Sequence, residues 1–427
     1  MKKLLLAIII TMIMLPAYSQ NKWEGMAAGL AGNVRAVVMF NNEIYVGGSF
    51  GYDGTFTDQL NNISKWNGTK WLPVGNGMNG GIRDMIVHNN ELYVAGNFTE
   101  AGGTPANAIA KFNGTTWTAL GSGIDGTVRS LTVHNNNIIA AGAFSTAGGS
   151  TANNIAMWNG TSWSVLGSGI TNNVNVVLPY KNELYAGGSF SSPGANLVKW
   201  NGTAWSQVGT GTSGPVNDMS FHKGELLIAG DFALPYAGVT SWDGTTFSGF
   251  ASSGVGTIHA VISFQDTVRK GGNFGSFSGV QLYDGNNFTD MGTIPYPTEI
   301  VYNLSVIDGA LYASGSFSGS AYNGIAKWQG THSTIGINEA GHTKANFEVY
   351  PNPANGVIKV SIQNEGSSIY TLSLFDYTGK QVYNEQLNAA SEKIEKSIDI
   401  SGLRPGIYFL SVKDGKEKQF TKKIVVI

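Results

Sequence analysis

The chain has 427 residues, of which 13% are charged and 58 are glycine, and its formal net charge is −2. This length suits two or three domains, and the near-neutral balance gives no support for a nucleic-acid or anionic-membrane partner. Because cysteine is absent, disulfide bonds, thiolate metal sites and cofactors attached through cysteine are excluded. Stability must therefore come from the burial of apolar surface, for which the chain is long enough.

The first 19 residues have the features of a secretory signal peptide. Two lysines precede an apolar run over residues 4–16, which is shorter than a membrane-spanning helix. Ala17 and Ser19 are small residues in the positions that signal peptidase requires, so cleavage is predicted between Ser19 and Gln20. A retained anchor helix is the alternative, but no second apolar span follows. We therefore expect no transmembrane span in the mature chain.

One pattern occurs seven times between residues 34 and 330. Its plainest marker is a small residue followed by glycine, any residue and phenylalanine, and the phenylalanines are 42 to 48 residues apart. The markers are Gly47-Gly48-Ser49-Phe50, Ala95-Gly96-Asn97-Phe98, Ala141-Gly142-Ala143-Phe144, Gly187-Gly188-Ser189-Phe190, Ala229-Gly230-Asp231-Phe232, Gly271-Gly272-Asn273-Phe274 and Ser314-Gly315-Ser316-Phe317. A period of roughly 40–50 residues with strand-like content predicts one propeller blade per repeat. Residues 20–335 are therefore predicted to form an all-β, seven-bladed β-propeller with four-stranded blades.

The second repeat illustrates how one blade is read. Its strands are predicted over residues 82–88, 91–98, 109–112 and 117–120. The Asn113-Gly114 turn is a strong hairpin signal, because both central residues of such a turn take positive φ. The glycine pairs lie within strands, where glycine is unfavourable unless another backbone passes close, as near a propeller axis. The recurring aromatic residues share one register, which favours packing between blades over stacking against carbohydrate.

A glycine doublet, an aromatic-Asn/Asp-Gly turn and a Trp that opens the fourth strand recur over residues 23–330. This pattern resembles the Kelch repeat, although Phe288 and Ser333 replace the Trp in the last two repeats. The resemblance implies a propeller. It implies no single function, because Kelch propellers serve enzymes, scaffolds and adhesins alike.

Trp23 belongs to the same spacing rule. In the complete repeats, the fourth-strand aromatic residue lies about 11 residues before the next first strand, and Trp23 lies as far before Val34. Residues 23–27 are therefore predicted to be a fourth strand that pairs with residues 325–328 and closes the last blade. Such closure removes two exposed sheet edges.

Two features point to a binding site on one face of the propeller. The second-to-third loops are longest in blades 1 to 3, at residues 51–62, 99–108 and 145–154, and elaborated loops on a rigid scaffold tend to carry function. The second residue of each first strand is predicted to surround the channel mouth on that face. This set, called the axial ring, is Arg35, Arg83, Arg129, Asn175, Asn217, His259 and Tyr302.

Three neighbouring arginines in the axial ring suit a carboxylate or a sulfate, and the amides suit a sugar. The alternative is that each arginine pairs with a local acid such as Asp84, or covers an aromatic ring of a neighbouring blade. The sequence leaves both interpretations open.

Other chemical motifs are weak. No nucleophile elbow, phosphate loop, His-Glu-x-x-His or EF-hand pattern occurs, so no catalytic residue, metal or cofactor is predicted. His88, His134 and His222 share a register that holds aromatic residues in other blades, which favours packing over metal ligation. Asp53 and Asp58 share the longest loop, but two acids are thin support for a calcium site.

After Gly336 the repeat stops. A polar linker over residues 336–345 is followed by predicted strands over residues 347–350, 357–362, 370–375, 381–385, 397–400, 406–412 and 419–427. Short alternating strands at this density predict a small Ig-like β-sandwich over residues 346–427.

Four motifs occur in order in this last segment. Their residues are Pro351, Asn352, Pro353, Gly356, Asp376, Gly379, Lys380, Gly406, Tyr408, Lys422 and Lys423. The segment resembles the C-terminal sorting domain of the type IX secretion system of Bacteroidetes. The resemblance implies passage through the periplasm and across the outer membrane of a Gram-negative cell by the type IX machinery, followed by release or surface attachment. An ordinary carbohydrate-binding sandwich is the alternative.

These features predict a secreted or cell-surface binding protein, whose ligand, a glycan or a surface protein, lies on the loop-rich face. The alternative is a polysaccharide-degrading enzyme, a lyase or a hydrolase, at the channel mouth, with the ring arginines, His259 and Tyr302 as its nearest lyase-like set. The sequence shows no convergent acid-base pair, which favours binding over catalysis. A structural surface-layer component is a third hypothesis.

Overall fold

The computed structural model describes residues 23–250, 256–274, 279–292, 300–317, 323–329, 347–351, 354–364, 369–376, 381–388, 391, 393–403, 406–415 and 419–426. The predicted cleavage site at Ser19 and Gln20 and the predicted linker at 336–345 lie outside these residues. The chain divides after residue 334 into two compact units.

Seven four-stranded antiparallel sheets make up the described part of the first unit. In chain order its strands are β1 (Trp23–Gly25), β2 (Leu30–Phe40), β3 (Glu43–Asp53), β4 (Ile63–Trp66), β5 (Trp71–Pro73), β6 (Ile82–His88), β7 (Glu91–Gly96), β8 (Glu100–Ala101), β9 (Thr104–Pro105), β10 (Ile109–Phe112), β11 (Trp117–Ala119), β12 (Thr127–His134), β13 (Asn137–Ala143), β14 (Thr146–Ala147), β15 (Ser150–Thr151), β16 (Ile155–Trp158), β17 (Trp163–Val165), β18 (Asn173–Tyr180), β19 (Glu183–Ser189), β20 (Leu197–Trp200), β21 (Trp205–Gln207), β22 (Val216–His222), β23 (Glu225–Gly230), β24 (Val239–Trp242), β25 (Phe247–Gly249), β26 (Thr257–Phe264), β27 (Thr267–Asn273), β28 (Val280–Tyr283), β29 (Phe288–Asp290), β30 (Ile300–Ile307), β31 (Ala310–Ser316) and β32 (Ile325–Trp328).

The sheets are seven successive blades. Their strands are β2–β5; β6, β7, β10 and β11; β12, β13, β16 and β17; β18–β21; β22–β25; β26–β29; and β30–β32 with β1. The first strands contact one another in a closed cycle, β2 to β6, β12, β18, β22, β26, β30 and back to β2. The predicted seven-bladed propeller is therefore confirmed, with the first strand of every blade innermost. Within the long loops of blades 2 and 3, β8–β9 and β14–β15 form two short ribbons that the sequence did not predict.

The amino-terminal strand closes the last blade, as predicted. β1 pairs with β32 over three residues, from Trp23 opposite Trp328 to Gly25 opposite Ala326. Trp23 is 1% exposed, and its ring lies edge-on to that of Trp328 with 5.2 Å between centroids. The pairing ends at Gly25, two residues earlier than the sequence suggested.

The Asn-Gly turns differ from the expectation. In the first-to-second turns both central residues do take positive φ, as at Asn41 (49°) and Asn42 (61°). In the third-to-fourth turn of blade 1, Gly68 has positive φ (98°) but Asn67 does not. The Asn67 side chain instead accepts hydrogen bonds from the backbone N–H groups of Thr69 and Lys70, at 2.9 and 2.8 Å. Here the asparagine caps a longer turn through its side chain, so the conformational reason given for it was wrong.

The hydrophobic core lies between blades. One cluster joins Phe40 and Ile63 of blade 1 to Met85 and Phe98 of blade 2, and equivalent clusters follow around the ring. Trp71 is 2% exposed and donates from Nε1 to the Met26 carbonyl oxygen at 3.2 Å. Trp117, Trp163 and Trp205 are half-buried and pack against these clusters, so the aromatic series is not a row of exposed stacking platforms.

Blade 6 carries two buried cations where the other blades are apolar or aromatic. Arg269 stands at the position of Tyr45, and Lys270 at that of Val46. Arg269 donates from Nη1 to the carbonyl oxygens of Phe264 and Thr267. Burial lowers the pKa of Arg269 to about 10 and that of Lys270 to about 7. The second strand of blade 6 therefore places two ionisable side chains in the propeller core.

The second unit is a two-sheet β-sandwich. Its strands are β33 (Phe347–Tyr350), β34 (Val357–Gln363), β35 (Ile369–Asp376), β36 (Gln381–Asn388), β37 (Lys393–Asp399), β38 (Gly406–Asp414) and β39 (Gln419–Val426). One sheet has the order β33-β34-β37 and the other β36-β35-β38-β39. Ile358 and Val360 of the first sheet share a core with Leu372 and Leu410 of the second. The predicted small β-domain is confirmed, with strand ends shifted by a few residues.

Ring closure predicts that Trp23→Ala destabilises the propeller by about 3–5 kcal/mol, because a fully buried aromatic side chain is lost from the closing seam. Glu24→Ala is the control, since Glu24 lies in the same strand and is exposed. Denaturant unfolding of the full chain measures both. Equal stability of the two variants would contradict the closure.

Candidate functional site

Each residue of the axial ring occupies a β-bulge. In all seven blades the pairing between the first and second strands shifts by one residue, and the unpaired residue is the ring residue; in blade 1 the shift lies between Val34 and Ala36, at Arg35. A bulge bends the strand and redirects a side chain. The pairing of the first and second strands is therefore interrupted at the same position in all seven blades.

The second glycine of each marker makes room for the bulge. A Cβ on Gly48 would lie 1.9 Å from the Asn33 carbonyl oxygen, and one on Gly188 would lie 2.2 Å from that of Asn173. The other five glycines give values between these limits. The backbone that passes close is thus the first strand of the same blade, which explains why a glycine is placed within a strand.

The structure brings all seven ring residues together around one cavity of about 320 Å³. Their role in binding stays a prediction, but their convergence is a feature of the fold. Ser49 and Ser189, at the third position of the repeat marker, are exposed and pair with the residues two positions before Arg35 and Asn175. All seven residues that line the cavity are polar or charged.

On the amide side of the axial ring, each residue is held by the next. Arg129 donates from Nη1 to Asn175 Oδ1 at 3.1 Å. Asn175 Nδ2 donates to Asn217 Oδ1 at 3.3 Å and to the Val216 carbonyl oxygen at 3.0 Å. Asn217 Nδ2 donates to the Ile258 carbonyl oxygen at 2.8 Å. This chain of hydrogen bonds fixes the amide orientations.

On the opposite side, aromatic contacts replace hydrogen bonds. The rings of His259 and Tyr302 are 5.4 Å apart between centroids, and the Arg35 guanidinium lies 3.8 Å above the Tyr302 ring. Arg35 therefore does cover an aromatic residue of a neighbouring blade, one of the alternatives the sequence left open. This stacking orders the guanidinium without neutralising it.

The three arginines carry positive charge that no described acid neutralises. Among the residues that the structure describes, none of Arg35, Arg83 and Arg129 forms an ion pair. Burial and the neighbouring Arg83 lower the pKa of both Arg35 and Arg129. Such mutual repulsion in a partly enclosed cavity makes it attractive to an anion.

The surroundings of His259 favour its neutral form. Burial lowers its pKa, and Arg35 acts in the same direction, while Asp231 opposes them. Asp231 is the one acid at the third marker position, and it accepts a hydrogen bond from Asn217 Nδ2 at 3.3 Å. The positive charge of the axial ring is therefore concentrated on its arginine side.

A second layer of side chains, one residue after the ring, joins neighbouring blades. Asp84 accepts the Leu131 N–H of blade 3 at 2.6 Å, Ser130 accepts the Val177 N–H of blade 4 at 3.1 Å, and Asp218 accepts the Val261 N–H of blade 6 at 2.8 Å. Asp84 is thus a bridge between inner strands. The suggested pairing of a ring arginine with Asp84 is wrong.

Both carboxyl groups of this layer titrate in an unusual range. Asp84 and Asp218 keep an intermediate accessible surface, yet the inner strands separate their carboxyl groups from bulk water. This burial raises the pKa of each to about 7, against the backbone N–H donors that lower it. Sequence reasoning missed their bridging role, because it depends on the register between neighbouring blades.

The other candidates lie apart from the axial ring. His88, His134 and His222 stand at the ends of inner strands in three different blades. Within the described ranges, no group of three His, Cys, Asp or Glu residues could hold a metal. The Asp53 carboxylate accepts the backbone N–H groups of Thr57 and Asp58 at 2.8 and 3.1 Å, and so caps its own loop.

The sorting-motif residues lie in the second unit. Tyr408 is 7% exposed, Gly356 has φ of 82°, and the Lys422 ammonium lies 5.0 Å from the Phe347 ring centroid. Pro351 follows β33, Gly406 begins β38, and the backbones of Asp376 and Lys423 lie in β35 and β39. The remaining motif residues, Asn352, Pro353, Gly379 and Lys380, lie outside the described residues.

Comparison with known families identifies the second unit. Residues 348–427 match the family described as the secretion system C-terminal sorting domain. This segment is a type IX secretion sorting domain. The sorting domain assigns the protein to the type IX machinery, and so to secretion or the cell surface of Gram-negative Bacteroidetes. No helix in the part of the chain that the structure describes is long and apolar enough to cross a membrane.

The first unit also has a family match. Residues 17–177 match the Rax2 C-terminal beta propeller domain, so the sorting domain follows a Rax2-like propeller. Among solved structures, the chain is similar to two crystal structures of BBS1N in complex with ARL6DN, soaked with mercury and with lead. They are each 10% identical and cover 72% of this chain and 96% and 95% of theirs, with TM-scores of 0.44 and 0.42. No curated protein matches the chain.

The glycine that faces each bulge gives a prediction. Gly96→Ala would place a Cβ 2.0 Å from the Gly81 carbonyl oxygen, and such overpacking costs about 1–3 kcal/mol or more. Gly51→Ala is the control, because nothing lies within 4 Å of its Cβ position. Urea unfolding should show a loss of stability for the first variant alone. Unchanged stability of Gly96→Ala would contradict the close approach of the bulge.

The bridging carboxyl groups predict a pH dependence. Their pKa is raised on folding from 3.8 to about 7, so their stabilising contribution is complete below about pH 4 and is lost as the pH rises through 7. The double variant Asp84→Ser and Asp218→Ser, which copies Ser130, should therefore gain stability relative to the wild type between about pH 5 and 8. Ser130→Ala, which removes no titratable group, should change the free energy of unfolding equally at about pH 5 and pH 8. A pH-independent difference for the double variant would contradict the raised pKa values.

Proposed function

We propose that this protein captures a carboxylate- or sulfate-bearing glycan at the axial ring, outside the cell that exports it. The observation that carries the proposal is the convergence of three arginines without an acid partner on one cavity. Guanidinium groups bind carboxylate and sulfate oxygens through paired hydrogen bonds. The sorting domain supports a role for the propeller at the cell surface or beyond it.

The three arginines differ in how their guanidinium groups are ordered before an anion binds. Arg35 is ordered by Tyr302 and Arg129 by Asn175. Arg83 forms no hydrogen bond or ion pair with another described residue, so its five N–H donors are available. Groups that are ordered before binding lose little entropy when they bind. A ligand anion would therefore meet two fixed guanidiniums and one with unused donors.

A sugar suits the remainder of the cavity. Asn175, Asn217 and Tyr302 line the same cavity as the arginines, and their amide and hydroxyl oxygens can accept hydrogen bonds. Saccharide hydroxyls can both donate and accept, which matches amide and hydroxyl groups. A volume of about 320 Å³ is at the small end of ligand sites, so we expect it to take a terminal sugar unit.

The test is calorimetric titration of the mature full chain with galacturonate, glucuronate and sulfated galactose, with neutral galactose alongside. The variant Arg35→Ala, Arg83→Ala and Arg129→Ala should weaken anion binding about a hundredfold or more, because charge-assisted hydrogen bonds are lost. A control with the same change in charge is Lys65→Ala, Lys111→Ala and Lys199→Ala, since these lysines pair with glutamates away from the axis.

Added salt should weaken binding to the wild type and have little effect on the arginine variant. Equal affinities of the arginine and lysine variants would overturn the proposal. So would binding of neutral galactose as tightly as of the anions, or a ligand that proves to be a surface protein.

A lyase is the second candidate, because one cluster of the ring has the parts that it needs. His259 has a lowered pKa, chiefly because of burial, and lies beside Tyr302, over which Arg35 is stacked. In an elimination, a base removes the proton next to a sugar carboxylate, the glycosidic C–O bond breaks, and the leaving oxygen takes up a proton. Incubation of the same proteins with polygalacturonate, followed by ultraviolet detection of unsaturated products, tests this. No product from the wild type refutes the lyase, and product lost in His259→Ala supports it.

A further inference from the structure

A second cavity, the seam groove, lies on the same face between blades 7 and 1. Its volume is about 280 Å³. Its walls include Leu30, Asn33, Phe56, Ser316 and Phe317. Polar and apolar groups are therefore mixed in a space about the size of one sugar unit.

Phe56 is the unusual residue of the seam groove. Its side chain is 72% exposed, and its backbone has φ of 59°, a left-handed conformation that a bulky residue rarely adopts. It lies in the 51–62 loop, whereas the equivalent loops of blades 2 and 3 contain no aromatic residue. An aromatic residue held in such a conformation at an exposed position indicates a functional constraint.

The loop that carries Phe56 is held in place from both sides. The Asp53 carboxylate accepts backbone N–H groups of Thr57 and Asp58, and the Phe56 N–H donates to the Asp53 carbonyl oxygen at 3.0 Å. The Gly54 N–H donates to the Gly29 carbonyl oxygen at 2.9 Å, which fixes the loop to the start of blade 1. Phe56 is therefore presented on a defined support.

A second aromatic ring lies beside the first. Tyr52 is 42% exposed, and its ring centroid is 6.4 Å from that of Phe56. The two rings are tilted by 40° to each other, so they form a shallow apolar surface rather than a closed stack. Such a surface suits the apolar face of a pyranose ring.

The polar side of the seam groove has unused hydrogen-bonding groups. Neither the Asn33 amide nor the Ser316 hydroxyl forms a side-chain hydrogen bond with another residue in the described part of the chain. Both face the same groove as Phe56. A ligand there would meet an apolar surface on one side and donors and acceptors on the other, which is the chemistry of a sugar.

The groove lies two residues along the inner strands from the axial ring. Asn33 precedes Arg35 by two residues in β2, about 7 Å along the strand. Ser316 is paired with Ile300, which precedes Tyr302 by two residues in β30. The groove therefore opens between the two blades whose ring residues, Arg35 and Tyr302, are in contact.

We infer that the seam groove is a sugar subsite for an acidic oligosaccharide whose charged terminal unit lies in the axial ring. The inference rests on the proposed function of the ring and extends it from one sugar unit to a chain. The unit next to the terminal one would pack its apolar face on Phe56 and direct hydroxyls to Asn33 and Ser316. The ligand class is thus an acidic glycan of at least two units, whose terminal unit enters the axial ring.

The experiment compares chain lengths. Wild-type full-length protein is titrated with galacturonate and with its tetramer, tetragalacturonate. The tetramer should bind about tenfold more tightly than the monomer, as expected for covering an aromatic face. Phe56→Ala should remove this gain and leave monomer affinity unchanged. Leu234→Ala, which removes a side chain that is 65% exposed in a loop of blade 5, is the control and should change neither.

The outcomes separate the two proposals. Equal binding of monomer and tetramer to the wild type, or an unchanged gain in Phe56→Ala, overturns the subsite and leaves the ring standing. If the arginine triple variant binds as the wild type does while Phe56→Ala still loses tetramer affinity, the groove binds sugar, but the ring function falls and with it the placement of the charged terminal unit. Loss of monomer affinity in Phe56→Ala would also overturn the inference, because Phe56 would then act on the ring itself.

Discussion

The close contact between a first-strand carbonyl oxygen and a second-strand glycine is the constraint on which the rest of this propeller depends. In each blade that oxygen occupies the space where a Cβ would lie, at 1.9 Å for Gly48 and Gly315 and at 2.2 Å for Gly188. The contact permits a bulge, and the bulge turns one side chain per blade toward the axis. Repetition around a closed ring converts this local irregularity into a cavity with seven converging side chains. The glycine that marks the fold in the sequence thus also sets the geometry of the candidate site.

The sequence allowed prediction of those features that recur in every repeat. The blade number, the closing strand at Trp23 and the register of the axial ring all follow from intervals between like residues. No residue pattern within the first strand predicts the bulge, and only the glycine opposite it in the second strand indicates it. The role of Asp84 was misjudged because its partner, the Leu131 N–H, belongs to the next blade, and the register between separate sheets is set by packing that no single strand encodes.

Features confined to one blade were also missed, because they do not recur with the repeat. Arg269 and Lys270 interrupt an apolar register once, and Phe56 occupies a left-handed conformation that nothing in its neighbours' identity requires. The turn at Asn113-Gly114 was predicted correctly, but the positive φ expected for Asn113 was wrong, because a side-chain cap and a positive φ favour the same residue. Residues that depart from the repeat in one blade are therefore understood only from the structure. The buried cations of blade 6 and the seam groove are both of this kind.

The axial ring is electrostatically asymmetric, and this asymmetry gives it a direction. On one side the amides satisfy one another in order, from Arg129 to Asn175 to Asn217. On the other, Arg35 is stacked on Tyr302, and among the described residues neither Arg35 nor Arg83 forms an ion pair with an acid. A ligand with one anionic end would therefore enter in one orientation. The bridges from Asp84, Ser130 and Asp218 hold adjacent inner strands together beneath the ring, so the positive groups are kept close without a ligand to neutralise them. All the residues of this arrangement belong to the first unit.

Anomalous diffraction from crystals of the protein soaked in selenate tests the central claim most directly, because it locates an anion and the bulges in one experiment. The account predicts a selenium peak in the axial cavity within hydrogen-bonding distance of at least two of Arg35, Arg83 and Arg129, with an unpaired ring residue in every inner strand. Inner strands that pair without a bulge, or selenate bound elsewhere while the cavity stays free of it, would contradict the account.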